Sequence, residues 1–181
     1  MELNSQKVRG LAPESDPLKI GRGRTLEELS KPQIMVESTF GDSHPGSAHL
    51  DQFVREAMDG IEQAGGCGER FFAKDIWDCI ALGHDVMNYS LVQRDMIANM
   101  IEIHGMANGF DGGVFIASCD KGVPAVLMGL CRLNMPSIVI TGGVMDAGPD
   151  LLTLEQIGAY DAMYQRGEIS GEQLEFYKHH A

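Results

Sequence analysis

A chain of 181 residues with 44% apolar content lies near the length of one domain and can bury a genuine core. Its formal net charge is -12, and no Lys/Arg run is denser than the spaced Arg22 and Arg24, which argues against nucleic acid as a partner. No apolar stretch reaches the roughly 18 residues of a membrane span, and residues 1–30 carry no secretory core, so the expectation is a soluble cytoplasmic protein without membrane contact.

Residues 1–33 are polar, contain Pro13, Pro17 and Pro32, and show one short helical hint around Leu26 to Leu29. They read as an N-terminal arm or subunit contact, with the folded domain running over residues 34–181. Ile34-Met35-Val36 predicts a strand entering the turn-rich loop 38–48. From Leu50, the positions Phe53, Val54, Ala57, Met58 and Ile61 fall on one helical face, which Gly65-Gly66 ends. Phe71 to Ile76 suggests a second strand. Ser90 followed by Gln93 resembles a capping box opening a helix that runs to about Gly105.

Gly113 to Ser118 reads as a buried strand, Cys119 to Gly122 as a loop, residues 123–133 as a helix and Pro136 to Thr141 as another strand. That order is a βαβ unit, and the fold class it predicts is three-layer α/β/α with a mostly parallel sheet. Thr153 with Gln156, and Ser170 with Gln173, predict two further capped helices near the C-terminus.

In an open parallel sheet, ligands bind beyond the carboxyl ends of the strands, which is where Cys119, Asp120 and Lys121 would fall. Carboxylate oxygens suit Mg2+ and a thiolate suits iron or zinc, so one loop offering both is uncommon. From spacing alone, an ordinary solvated loop still outweighs a metal site. Lys121 could pair simply with Asp120 or Asp111, and Asp78 could cap a loop. The four cysteines, Cys67, Cys79, Cys119 and Cys131, lack CxxC spacing and read as reduced thiols, each more often a small buried apolar group than a ligand.

Several segments together resemble the dihydroxy-acid dehydratase and phosphogluconate dehydratase family from about residue 34 to the end. They are Asp78-Cys-Ile-Ala-Leu-Gly-His84, Tyr89-Ser-Leu-Val-Gln-Arg-Asp-Met-Ile-Ala98, Ser118-Cys-Asp-Lys-Gly-Val-Pro124, Leu127-Met-Gly129 and Leu133-Asn-Met-Pro136. The resemblance implies an iron–sulfur cluster, 2Fe-2S or 4Fe-4S, with Cys119 as a ligand. It also implies Mg2+ bound by Asp78, Asp120 and a carbamylated Lys121. The implied substrate is a small dihydroxy acid or sugar acid, placing the protein in branched-chain amino acid biosynthesis or sugar acid metabolism, with a homodimer or tetramer at full length.

Two departures from the family pattern follow. Where relatives read Pro-Cys-Asn-x-His-Leu, this chain reads Pro45-Gly-Ser-Ala-His-Leu50, so Gly46 takes the place of a thiolate, and His44 or His49 becomes a candidate substitute. Cys79 stands where relatives have glycine and is not counted as a ligand. The family's further cysteine motif and its second domain, which carries the general base, lie beyond residue 181, so no catalytic residue is assigned within the chain. The competing expectation is a non-catalytic α/β fragment or subunit of a complex; a phosphoryl-transfer domain ranks lower, since no Gly-x-x-x-x-Gly-Lys-Ser/Thr loop occurs.

Overall fold

The computed structural model describes residues 2–181, which form two compact units, one ending at residue 143 and the other spanning 144–181. The first unit opens with three short helices, α1 (Asn4–Leu11), α2 (Ser15–Gly21) and α3 (Leu26–Ser30). Sequence periodicity gave only the third, because the first two are fixed by distant partners. Asp111 accepts from the Ser5 amide at 3.0 Å, the Ser5 hydroxyl at 2.7 Å and the Gln33 amide at 2.8 Å. Arg9 grips Asp16 with two hydrogen bonds of 2.7 and 2.6 Å. Pro17 falls in the first turn of α2, where its missing N–H leaves no gap. A Thr25–Glu28 capping box opens α3, and Leu29 is fully buried.

The segment from 33 to 141 alternates strand and helix: β1 (Gln33–Ser38), α4 (Pro45–Ala48), α5 (Leu50–Gln63), β2 (Cys67–Phe72), α6 (Asp78–Ala81), α7 (Tyr89–Asn108), β3 (Gly112–Ala117), α8 (Gly122–Leu133) and β4 (Ser137–Thr141). All four strands are parallel in the order β2-β1-β3-β4, with Val36 opposite Arg70 on one side and Val114 on the other. Because side chains alternate across a strand, neighbours go to opposite faces. Met35, Phe115 and Ala117 pack with Ile97 and Ile101 of α7 and Ala125 and Val126 of α8. Val36 and Ile116 pack with Leu50 and Val54 of α5, with Phe53, Ala57, Met58 and Ile61 around them. The result is the expected three-layer α/β/α arrangement, each fully buried aliphatic side chain contributing roughly 1.5–3 kcal/mol. Close approach of α7 and α8 depends on two glycines: a Cβ at Gly129 would lie 2.6 Å from Ile101, and one at Gly105 2.4 Å from Leu133.

Two local expectations are corrected. The second strand runs from Cys67 to Phe72 instead of Phe71 to Ile76, in register with β1 from Gln33 onward. Its polar residues Glu69 and Arg70 hid it; Glu69 is paired with Lys19 at 2.9 Å. The spacing of Ser90 and Gln93 is not a capping box either. Helix α7 begins at Tyr89 after a 3-10 turn over Asp85–Asn88, and the Ser90 hydroxyl donates to Asp78 at 2.8 Å while the Gln93 side chain accepts from the Ile76 amide. The helix also passes Gly105 and stops at Asn108, where Gly109 adopts the left-handed conformation of a helix C-terminus (φ +63°).

The second unit contains 3-10 turns at Pro149–Leu151 and Leu154–Gln156, then α9 (Ile157–Gln165) and α10 (Gly171–His180). Both capping boxes read from the sequence are present. Leu152 and Leu174 are buried, and the Tyr160 and Tyr177 rings stack with centroids 3.8 Å apart. Among the described residues, no helix is long and apolar enough to cross a membrane.

Candidate metal centre

From β1 the chain passes through α5 to β2 at one edge of the sheet, whereas β3 and β4 are added toward the other edge, so the strand order reverses between β1 and β3. At such a point the loops beyond the strand ends diverge and leave a crevice. The loops after β1, β2 and β3 bring Thr39, His44, Lys74, Asp75, Asp78, Ser118, Cys119, Asp120 and Lys121 to this end of the sheet.

One group is an oxygen-rich ion cluster. Lys121 donates to Asp78 Oδ2 at 2.8 Å and to Asp120 Oδ2 at 2.5 Å, and Ser90 reinforces the same Asp78 oxygen. Burial opposes ionisation of Asp78, but its bonds to Lys121 and Ser90 outweigh this and hold the carboxyl below its ordinary range. Hydrogen bonds to Asp120 and then Asp78 raise the Lys121 pKa. Both shifts favour the charged forms of Asp78 and Lys121. Asp111, the alternative partner considered for Lys121, is bonded to Ser5 and Gln33 instead.

The second group is softer. Atoms of His44, Asp75 and Cys119 capable of binding a metal all lie within 4.8 Å of one another. His44 Nε2 is 3.2 Å from Asp75 Oδ1, and the Lys74 ammonium donates to that same oxygen at 2.8 Å and to Ser47 Oγ at 2.9 Å. Trp77 stacks on the His44 ring. Cys119, the first residue after Ser118 at the end of β3, has a left-handed backbone with φ +68°. Burial pushes its thiol pKa up, as do the charges of Asp75, Asp120 and Asp78, against a bond from the Asp120 amide. Three buried polar atoms here lack a hydrogen-bond partner: Thr39 Oγ1, Asp75 Oδ2 and Ser118 Oγ. Buried polar atoms are rarely left so.

The structure separates the two histidines. His49 is occupied with the Pro45 and Gly142 carbonyls at 3.1 and 3.0 Å and pins the loop, whereas His44 joins Cys119. Gly46 does face the site: a Cβ there would lie 3.1 Å from His44 Nδ1 and 3.5 Å from Ser118 Oγ. Cys67 opens β2 at the opposite end of the sheet, and Cys131 is exposed on α8. Asp75 and Lys74 escaped the sequence reading because extending β2 to residue 76 counted them as strand. The available signal was a charged pair directly after the apolar run Phe71-Phe72-Ala73.

A family model described as dihydroxy-acid/6-phosphogluconate dehydratase N-terminal matches residues 31–181. A dihydroxy-acid dehydratase of Methanococcus aeolicus is 40% identical over 178 residues, covering 94% of this chain and 32% of the relative. One of Dehalococcoides mccartyi is 47% identical over 126 residues, covering 70% and 23%. One of Caldanaerobacter subterraneus subsp. tengcongensis is 44% identical over 162 residues, covering 86% and 28%. The chain thus spans about a third or less of the length of the curated relatives it matches.

Proposed function

Because this chain belongs to the dihydroxy-acid/6-phosphogluconate dehydratase family, we propose that it supplies the amino-terminal metal-binding part of a hydro-lyase that converts a 2,3-dihydroxy acid, such as dihydroxy-isovalerate, or a sugar acid to a 2-keto acid. The observation that carries this reading is the convergence of Asp78 and Asp120 on Lys121 next to Cys119 at the switch point of the sheet. The donor chemistry fits the groups that the family implies. Two hard carboxylates meet at one cation, as Mg2+ requires, and a thiol lies beside them among buried polar atoms without partners.

In this reading Asp78 and Asp120 bind Mg2+. Lys121, once carbamylated, changes from the ammonium that neutralises them into a third oxygen donor. Ser90 orients Asp78, and Cys119 is the thiolate that holds the iron–sulfur cluster. When bound, the two groups supply Lewis acidity for the departing hydroxide and for the carboxylate whose neighbouring C–H must ionise. No residue of this chain is assigned as the proton acceptor. Loss of the C2 proton and C3 hydroxide gives an enol, which tautomerises to the 2-keto acid.

The test is calorimetric Mg2+ titration of the chain with and without bicarbonate. Binding should strengthen in bicarbonate and vanish in Asp78→Asn and Lys121→Arg; Mg2+ binding that ignores both substitutions sinks the reading. In the full-length protein, the same substitutions should abolish 2-keto acid formation. A second reading, a fragment or subunit that binds without catalysing, draws on Gly46, which leaves this crevice one thiolate short of the family pattern.

A further inference from the structure

We propose that the outer face of α7 is a self-complementary interface through which two copies of this chain pair, their α7 helices running antiparallel about a two-fold axis near Asn99. Helix α7 is apolar on two opposite sides, and the sheet uses only one. Ile97, Ala98, Ile101 and Gly105 are buried on the inner side, where Ile97 and Ile101 pack with Met35 and Phe115. On the opposite side Val92, Met96, Ile103 and Met106 stand between 53% and 66% exposed. A helix that is apolar all round ordinarily has both sides covered.

Spacing, symmetry, charge and area identify the occupant as a second copy. Val92, Met96, Asn99, Ile103 and Met106 follow one another at steps of four, three, four and three, which is the seam of a coiled coil, where side chains of one helix seat between those of a facing helix. Read from either end, that seam runs apolar, apolar, asparagine, apolar, apolar. An antiparallel copy therefore sets Met96 beside Ile103 and Val92 beside Met106, with Asn99 at the axis. A two-fold interface requires such self-complementarity, whereas an unrelated partner does not. The chain carries a net charge of -12, so two copies repel unless the surfaces that meet are neutral. This face is neutral: Arg94 pairs with Asp95 at 3.0 Å, and Glu102 pairs at 3.1 Å with Arg132 of α8, which also donates to Asn99 at 2.7 Å. The exposed apolar side chains of the seam and of Met100 beside it amount to on the order of 600 Å2, the upper end of what a monomer leaves in one patch. With the flanking Asp95, Glu102 and Ala107 they approach the roughly 800 Å2 per partner of a stable interface. The pairing does not rest on the dehydratase reading, since no residue of the seam belongs to the crevice.

Light scattering coupled to gel filtration of the 181-residue chain tests this. At micromolar concentration the wild-type chain should elute with twice its 19.7 kDa mass. Met96→Glu and Ile103→Lys should each give a monomer, weakening association by about a hundredfold or more. Mixed in equal amounts, the two variants should regain the dimer, because opposite charges then meet at one contact while the original Met96–Ile103 pair is kept at the other. A misfolded variant gives no such rescue. Leu18→Glu, at an exposed apolar residue of α2, should leave the dimer unchanged. The proposal is overturned if the wild-type chain is monomeric at that concentration, which would mean that another segment or another protein covers this face. It is overturned equally if the dimer survives both single substitutions, or if mixing fails to restore it. Failure of Mg2+ binding or of water elimination, with the dimer intact, would remove the dehydratase reading alone.

Discussion

Two aspartates at opposite ends of the same sheet show how one residue type serves structure or chemistry. Asp111, just before β3, places its oxygens on two backbone amides and a hydroxyl, tying α1 to the start of β1 with neutral donors. Asp75, past the end of β2, is more deeply buried, yet one of its oxygens meets nothing. The first carboxylate closes the fold; the second is held by Lys74 with a valence left over. Satisfaction of hydrogen-bonding capacity, rather than burial, distinguishes the two.

Substitution at both positions should separate them. Asp111→Ala should lower unfolding free energy by about 3–5 kcal/mol, since amides at two chain segments lose their acceptor. Asp75→Asn should cost less, about 1–2 kcal/mol, because the shape is kept and one oxygen already lacks a partner, while the bonds from Lys74 and His44 weaken. Urea denaturation of the metal-free chain measures both, and equal losses would break the comparison.

Glu37 extends it to a carboxyl with neither oxygen partnered. Burial pushes its pKa from 4.5 up to about 8, and the amides of Ala73 and Ser38 approach without meeting hydrogen-bond geometry. Between those values the folded chain holds a proton that the unfolded chain releases, so this group's stabilisation is complete below about pH 4.5 and fades as pH rises to about 8. The contribution should fall by up to roughly 1.4 kcal/mol per pH unit. Glu37→Gln should flatten this slope and stabilise the chain at pH 8 by about 3 kcal/mol relative to pH 5 behaviour. Denaturation curves at both pH values, for wild type and variant, measure it; parallel curves would show that Glu37 titrates normally.

The smallest effect is expected at Ser90, whose hydroxyl supports Asp78 at 2.8 Å. Ser90→Ala should cost about 1 kcal/mol in stability and weaken Mg2+ binding about tenfold, as read by paired denaturation and calorimetry. A change in stability without one in affinity would assign Ser90 to the fold, with Asp111.

The parts of the fold that the sequence revealed are those whose partners are local or periodic. Helix α5 announced itself through Leu50, Val54 and Ile61 on one face, and the β3–α8–β4 unit through two apolar runs around a glycine-bounded helix. Helices α1 and α2 did not, because Ser5 and Arg9 are held by residues outside their own turns. The Ser90–Gln93 spacing imitated a cap, since a serine and glutamine three apart satisfy that pattern whatever they bind; here the serine's partner is Asp78, on another element. In the site, Asp78, Asp120 and Lys121 were legible through the resemblance and form one ion group. Asp75 was not, because its only local mark, the Lys74-Asp75 pair after an apolar run, does not tell a buried carboxylate from a solvated one.

The left-handed backbone of Cys119 has an evolutionary consequence. For an L-residue that conformation costs roughly 1–2 kcal/mol that glycine would not incur. Foldability and chemistry therefore pull this position in opposite directions. A population of variants selected only for heat resistance should drift at residue 119 toward glycine or asparagine, and cysteine should persist only while its sulfur is under selection.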